Sequence, residues 1–377
     1  MNLSLVEKIA DAVLYEGYIL YPYRPSAVKN QQRWNFGALC PESYNIAQGG
    51  TEAWTMQTQC LVQGSGNTTL DVKVRFLHLL TREVGVPNAD WDQRIVDCDD
   101  SEIKSSISDS DLSIVASLEV NGRLFQTWQE AVERDVQLPG ISLSETLIQP
   151  QRRIFTFPSS REIELLRDEG SGQITGCIIR GQQAIEGAIE VRVEECGTLN
   201  SEPAHLSSNP QSAIRNPQSF KLTVRILNLT PFEGANQKSR DEALMRSFVS
   251  THTIMVVHDG EFASLLDPPE ALSEAAASCS NVGTYPVLVG DEGTRDCMLS
   301  SPIILYDHPQ IAPESAGELF DGTEIDEILT LRIMTLTDEE KHEMRGADER
   351  ARKILERTET LPLEQLMKMH GAMKNVK

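Results

Sequence analysis

EAWTMQTQCLVQGSGNTTLDVKVRFLHLL, residues 52–80, carries the pattern that decides the fold class. Apolar and polar residues alternate on both sides of the GSGN at 64–67, which is the period of a half-buried strand. The glycines supply positive backbone dihedrals, so the spacing predicts two strands joined as a hairpin. Further along, a polar loop rich in Asp and Ser (97–111) leads to LSIVASLEV, then Asn121-Gly122, then RLFQTWQEAV. Asn-Gly is a strong short-turn signal, because both residues tolerate positive φ.

The second half echoes the first. VKVRFLHLLT from Val72 aligns with LTVRILNLTP from Leu222 at an offset of 150; EAWTMQTQCLVQG from Glu52 aligns with EGAIEVRVEECGT from Glu186 at 134. LEVNGRLF (118–125) likewise matches VVHDGEFA (256–263) at an offset of 138, setting Asp259-Gly260 against Asn121-Gly122. An old duplication gives this order, with the polar stretch 197–218 lengthening one hairpin loop. Chance likeness between alternating strands is the competing reading.

Both ends of the chain read as helical. Ser4 and Glu7 form a capping box ahead of apolar residues at helical spacing, so residues 5–15 are expected as an amphipathic helix ended by Gly17. Tyr21-Pro22-Tyr23-Arg24-Pro25 then reads as an extended, aromatic-rich segment. After a proline-punctuated connector (302–322), Ile325, Ile328, Leu329, Ile333 and Leu336 make an apolar stripe. Thr337 with Glu340 caps a nearly all-polar helix over 338–358, and Thr360 caps a short helix after it. Such a polar helix needs a partner or stands in solvent.

The expected class is therefore α+β, mainly antiparallel β. Two β-sandwich or barrel-like units related by duplication would carry an N-terminal helix and a helical C-terminal arm. Boundaries fall at 1–150, 151–305 and 306–377.

A net charge of -22 over 377 residues repels nucleic-acid phosphates and anionic lipid. No segment is long and apolar enough to cross a bilayer, and Glu7 and Asp11 interrupt any signal-peptide pattern, so a cytoplasmic protein is expected. The seven cysteines form no CxxC, which points to small buried hydrophobes rather than to disulfides or a metal site. Neither a cofactor nor a metal is expected, and the phosphate-loop, dinucleotide, GxSxG and HExxH signatures are absent.

Three clusters compete as sites. Tyr21, Tyr23, Arg24, Lys29, Arg33 and Trp34 fall in a stretch with no Asp or Glu between Glu16 and Glu42, a composition suited to docking a protein partner. Pairing of these bases with the protein's own surplus carboxylates is the plainer account. An enzyme with a dispersed active site would bring together His258, Asp307, His308 and Glu314, although Asp259-Gly260 and Asp307-His308-Pro309 also read as turns. A carbohydrate- or small-ligand-binding sandwich would expose Trp54, Trp91 and Trp128 on one sheet face. Met367, Met369, His370 and Met373 could hold a soft metal, but packing on a neighbouring element explains them as well.

VLYEGYILYPYRPSAVKNQQRWNFGALCP (13–41) and ELFDGTEIDEILTLRIMTLTDEEKHEMR (318–345) resemble an uncharacterised protein family encoded in gene clusters of nickel-iron hydrogenases of the actinobacterial, hydrogen-scavenging type. The resemblance implies a non-catalytic accessory role through contact with hydrogenase subunits, in maturation, assembly or stabilisation. It brings no catalytic residues. The chain also lacks the paired CxxC motifs of the large subunit and the cysteine clusters of the small one.

Overall fold

GSGN does not turn the chain. The structure is a computed structural model that describes residues 3–27, 30, 35–88, 99–196, 218–310, 326–347 and 349–368. In it the opening stretch belongs to one strand, β1 (Thr55–Pro87). Leu61–Gly64 lie opposite Ala263–Gly260, and the pairing resumes in the same direction at Thr69 opposite His258, reaching Leu77 opposite Val249. Residues 65–68 therefore bulge out against Asp259. Thr68 Oγ1 accepts the Ser65 amide at 2.8 Å and donates to the Asp259 carbonyl at 2.7 Å, which closes the bulge. Asp259-Gly260 is correspondingly mid-strand and not a hairpin tip. Asn121-Gly122 is a tip, with φ of +52 and +73, as its composition predicts.

The strands after β1 are β2 (Leu112–Val115), β3 (Ser117–Val120), β4 (Arg123–Gln126), β5 (Trp128–Ser142), β6 (Gln151–Phe157), β7 (Ser160–Arg167), β8 (Ile174–Gln182), β9 (Ile185–Glu195), β10 (Gln218–Asn228), β11 (Val249–Ala263), β12 (Tyr285–Leu288) and β13 (Cys297–Ser301). Most join one large antiparallel sheet, with β3 and β4 as a separate hairpin. Along one edge, β1 pairs in succession with β10, β5 and β2; along the other it pairs with β11 and then β8. The fold is thus α+β and mainly antiparallel.

The sheet curls over its own core. Although β6 is three strands from β1 along the path β1-β10-β9-β6, Phe155 and Phe157 each lie 6.0 Å from Phe76 between ring centroids. Three flat strand steps would separate them by roughly 14 Å. No pairing joins β5 to β6 among the described residues, so the sheet stays open. The core under this curl takes Val72, Val74 and Phe76 from β1 together with Val191, Phe220 and Leu222, drawing on both sides of residue 150. The duplication expected from the sequence finds no support in these pairings: 72–77 of β1 lies between β11 and β5 and 80–81 between β8 and β5, whereas β10 lies between β1 and β9.

The opposite face of β1 is covered by the two ends of the chain. Helix α1 (Leu3–Leu14) sets Val6, Ile9 and Ala10 on Ile254, Val256 and Leu299 of β11 and β13. Arg75 of β1 holds Asp11 at 2.7 Å, and Lys73 holds Glu7 at 3.6 Å. Towards the chain's other end come α2 (Asp326–Met334), α3 (Asp338–Ala347), α4 (Glu349–Glu359) and α5 (Leu363–Lys368). Leu329, Ile333, Met344, Ile354 and Leu355 are buried with Leu77 and Leu79 of β1. Burial on both faces explains why FLHLL reads as a nearly unbroken apolar run.

Three local expectations change. The polar helix expected over 338–358 is two helices, α3 and α4, and each buries a narrow stripe, Met344 and Ala347 on one and Ala351, Ile354 and Leu355 on the other. Residues 100–106 of the expected polar loop form a helix, closed by a capping box between Asp99 and Glu102. The Tyr21–Arg24 segment is a compact turn and not extended: the Tyr23 amide donates to the Leu20 carbonyl at 2.9 Å, and Tyr23 joins the apolar cluster with Leu329 and Ile333. Burial of the Tyr23 ring outweighs the extended preference at each proline.

Cys40, Cys60, Cys177 and Cys297 are buried free thiols, Cys196 and Cys279 half-buried ones. Among the described residues no helix is long and apolar enough to cross a membrane.

Candidate functional site: an arginine-lined cleft between the chain ends and the sheet

Where the arm meets the sheet, the structure leaves a cleft of about 320 Å³. Arg82 enters it from β1 and Arg180 from β8, directly opposite each other in register. Like charges so placed repel, and Glu130 of β5 relieves the repulsion: its Oε1 binds Arg82 Nη1 at 3.1 Å and its Oε2 binds Arg180 Nε at 2.9 Å. Glu164 of β7 takes Arg180 Nη1 at 2.9 Å. Burial lowers the Arg180 pKa, but Glu164 and Glu130 outweigh it and raise it, so this guanidinium stays charged.

The opposite wall comes from the arm. Arg82, only 5% exposed, also donates to the carbonyls of Ala347 and Gly346, occupying the open C-terminal end of α3. That helix end fits because residue 346 is glycine; a Cβ there would come within 2.5 Å of the Leu124 carbonyl oxygen in β4. Arg345, Arg350 and Arg352 complete the basic lining with Arg123 of β4. Arg350 stacks on Tyr15, 4.0 Å from the ring centroid, and reaches Glu133 at 2.9 Å. Arg352 is held by Glu349 and Arg345 by Glu359. Arg123 stacks on Phe125 at 4.9 Å and has no ion-pair partner among the described residues. Six arginines and three glutamates, Glu130, Glu164 and Glu349, thus face the cleft in a chain of net charge -22. Tyr18, Ile19, Ala131 and Ile178 are its less polar lining.

The residues singled out from sequence fall elsewhere. Arg24 lies against the arm, bound to Glu340 at 3.0 Å and Glu343 at 3.6 Å, while Ser26 donates twice to Glu343. Tyr21 is half-buried with Arg332 over its ring, Tyr23 is buried, and Lys29, Arg33 and Trp34 lie outside the described residues. For Arg24 the plainer account holds: it pairs with the protein's own carboxylates. His258 pairs with Asp71 at 2.9 Å near the β1 bulge. Asp307 accepts from Ser264 and from the Leu288 amide beyond the far end of β11. Six residues of strand, roughly 20 Å, separate His258 from Ser264. His308 sits in a left-handed turn with its amide on the Leu288 carbonyl, and Glu314 lies outside the described residues. Trp54 and Trp128 are half-buried; Trp91, Met369, His370 and Met373 lie outside the described residues. Among the described residues no three His, Cys, Asp or Glu side chains converge as metal ligands.

The cleft arginines escaped the sequence reading because positions 82, 123, 180 and 345–352 share no local motif. Their only trace is the mixed charge of EMRGADERAR, which reads equally well as a solvated helix face.

No protein-family model matches this sequence, and no curated protein matches it at a significant level.

Proposed function

We propose that this is a non-catalytic, cytoplasmic accessory protein that acts through protein contacts on a nickel-iron hydrogenase, in its assembly, maturation or stabilisation. The reading rests on the resemblance of residues 13–41 and 318–345, and one observation supports it. The described residues of these two blocks, far apart in the chain, pack together. Leu14, Tyr15, Tyr18, Ile19 and Tyr23 share an apolar cluster with Leu329, Ile333, Leu336 and Met344, and Arg24 and Ser26 tie the blocks together at Glu340 and Glu343. A likeness confined to two distant stretches becomes a likeness of a single surface element beside the cleft.

The test is cross-linking mass spectrometry on the tagged full chain, purified from its native host while hydrogenase is expressed. Hydrogenase subunits should be recovered, with cross-links to Lys341 of α3, which stands on this unit, or to Lys353 of the adjoining α4. Recovery of neither subunit above an untagged strain overturns the reading.

A further inference from the structure

We propose that the arginine-lined cleft binds a phosphorylated small molecule, its phosphate held by Arg123, Arg180 and Arg345 and its organic body lying along Tyr18, Ile19 and Ile178. The inference is independent of any protein partner. It starts from what the lining guanidiniums still have to offer. Each arginine carries five N–H donors in a planar fork suited to oxyanions. Glu130 occupies one edge of Arg180 and Glu164 takes Nη1, which leaves Nη2 without a partner among the described residues. Arg345 meets Glu359 through Nη2 alone, so its Nε and Nη1 remain. Arg123 stacks over Phe125 and lies near enough to Glu349 to help lower its pKa, but its N–H donors make no hydrogen bond or close ion pair among the described residues.

The carboxylates in the cleft do not cancel this. Glu130, Glu164 and Glu349 are each bound by an arginine already, and each fixes the direction in which a guanidinium points. Glu133, Glu356 and Glu359 hold Arg350, Arg352 and Arg345 from outside the lining. Glu133 and Glu359 are shared with Arg75 and Lys341, so the lining keeps its excess of six arginines over three glutamates, and its unused N–H donors select the ligand. A phosphate dianion brings two charges and three oxygens, enough to bridge three forks at once. A carboxylate, with two oxygens, does not span them. At about 320 Å³ the cleft is at the small end of the range for organic ligands.

Isothermal titration of the purified full chain with inorganic pyrophosphate tests the site, with acetate as the carboxylate control. Saturable pyrophosphate binding that weakens with added salt is expected. Arg123→Ala should weaken it on the order of tenfold, and Arg123→Lys should recover part of the loss. Arg180→Lys, which keeps the charge and loses the fork, should also weaken it. Thermal melting of each variant without ligand shows whether the cleft itself is intact. No pyrophosphate binding at millimolar concentration in low salt, equal binding by Arg123→Ala and the parent, or binding of acetate in preference to pyrophosphate would each overturn the proposal. Binding by the isolated chain and recovery of hydrogenase subunits are separate readouts, so either idea can fail alone.

Discussion

The guanidinium of Arg350 lies 4.0 Å from the centroid of the Tyr15 ring, and both side chains donate to the same oxygen of Glu133. Its other oxygen accepts Arg75 at 3.3 Å. One carboxylate on β5 thereby joins the turn after α1, the long strand β1 and the arm helix α4. Burial pushes the Tyr15 hydroxyl well above its ordinary pKa, so it remains a donor. Burial would raise the Glu133 pKa too, but the hydrogen bonds from Tyr15 and Arg350 and the charges of Arg350 and Arg75 outweigh it and lower it.

Arg350→Ala should therefore destabilise the protein by about 1–2 kcal/mol, from the lost stacking and charged hydrogen bond. Combined with Glu133→Gln, the loss should be less than additive, which a double-mutant cycle in urea measures. Because the Glu133 pKa is lowered on folding, its contribution is present above the unfolded carboxylate pKa and fades as pH falls through the folded value. Additive losses would show that the three contacts do not act together.

Gly346→Ala places a methyl 2.5 Å from the Leu124 carbonyl oxygen, a backbone atom that cannot rotate away. The docking of α3 on β4 must open, at a cost of about 1–3 kcal/mol. Protease cleavage within α3 and α4 should quicken while the core strands stay protected from hydrogen exchange. Alanine tolerated with unchanged exchange in the arm would contradict the close approach.

His78 of β1 and His252 of β11 are both buried, and burial is the main cause that lowers each pKa to about 4; Arg134 adds to it at His78, and Arg75 at His252. An unfolded histidine titrates near 6.5. Between about 6.5 and 4 the unfolded chain takes up protons that the folded one refuses, so stability is full above this window and falls as the pH drops through it. The loss is on the order of 3 kcal/mol per histidine. Urea midpoints at pH 7 and pH 4.5 measure it, and His252→Gln should shrink the difference between them. A midpoint independent of pH across this window would rule the account out.

The elements most legible in the sequence were those whose chemistry admits one geometry. Asn121-Gly122 formed its turn because two consecutive positive φ values select those residues. The Thr337/Glu340 capping box formed as read, with the Glu340 amide on Thr337 Oγ1 and the Thr337 amide on Glu340. GSGN misled because glycine between alternating segments serves a bulge as well as a turn; the partner strand decides, and β11 lies nearly two hundred residues further on. The arm reads as polar because its apolar stripe is narrow, and the cleft leaves no mark in the sequence because a strand arginine such as Arg82 looks like any solvent-facing residue until Gly346 and Ala347 arrive above it.

Covering one face of β1 with both ends of the chain has a consequence for biosynthesis. Leu77 and Leu79 leave the ribosome some 250 residues before Leu329, Ile333 and Leu355, which shield them. Leu14, Tyr15 and Tyr18 are made earlier and cover part of this strip, but the part that the arm covers lacks its partners throughout that interval. A cell making this protein quickly has reason to keep a chaperone at hand until translation has passed α4.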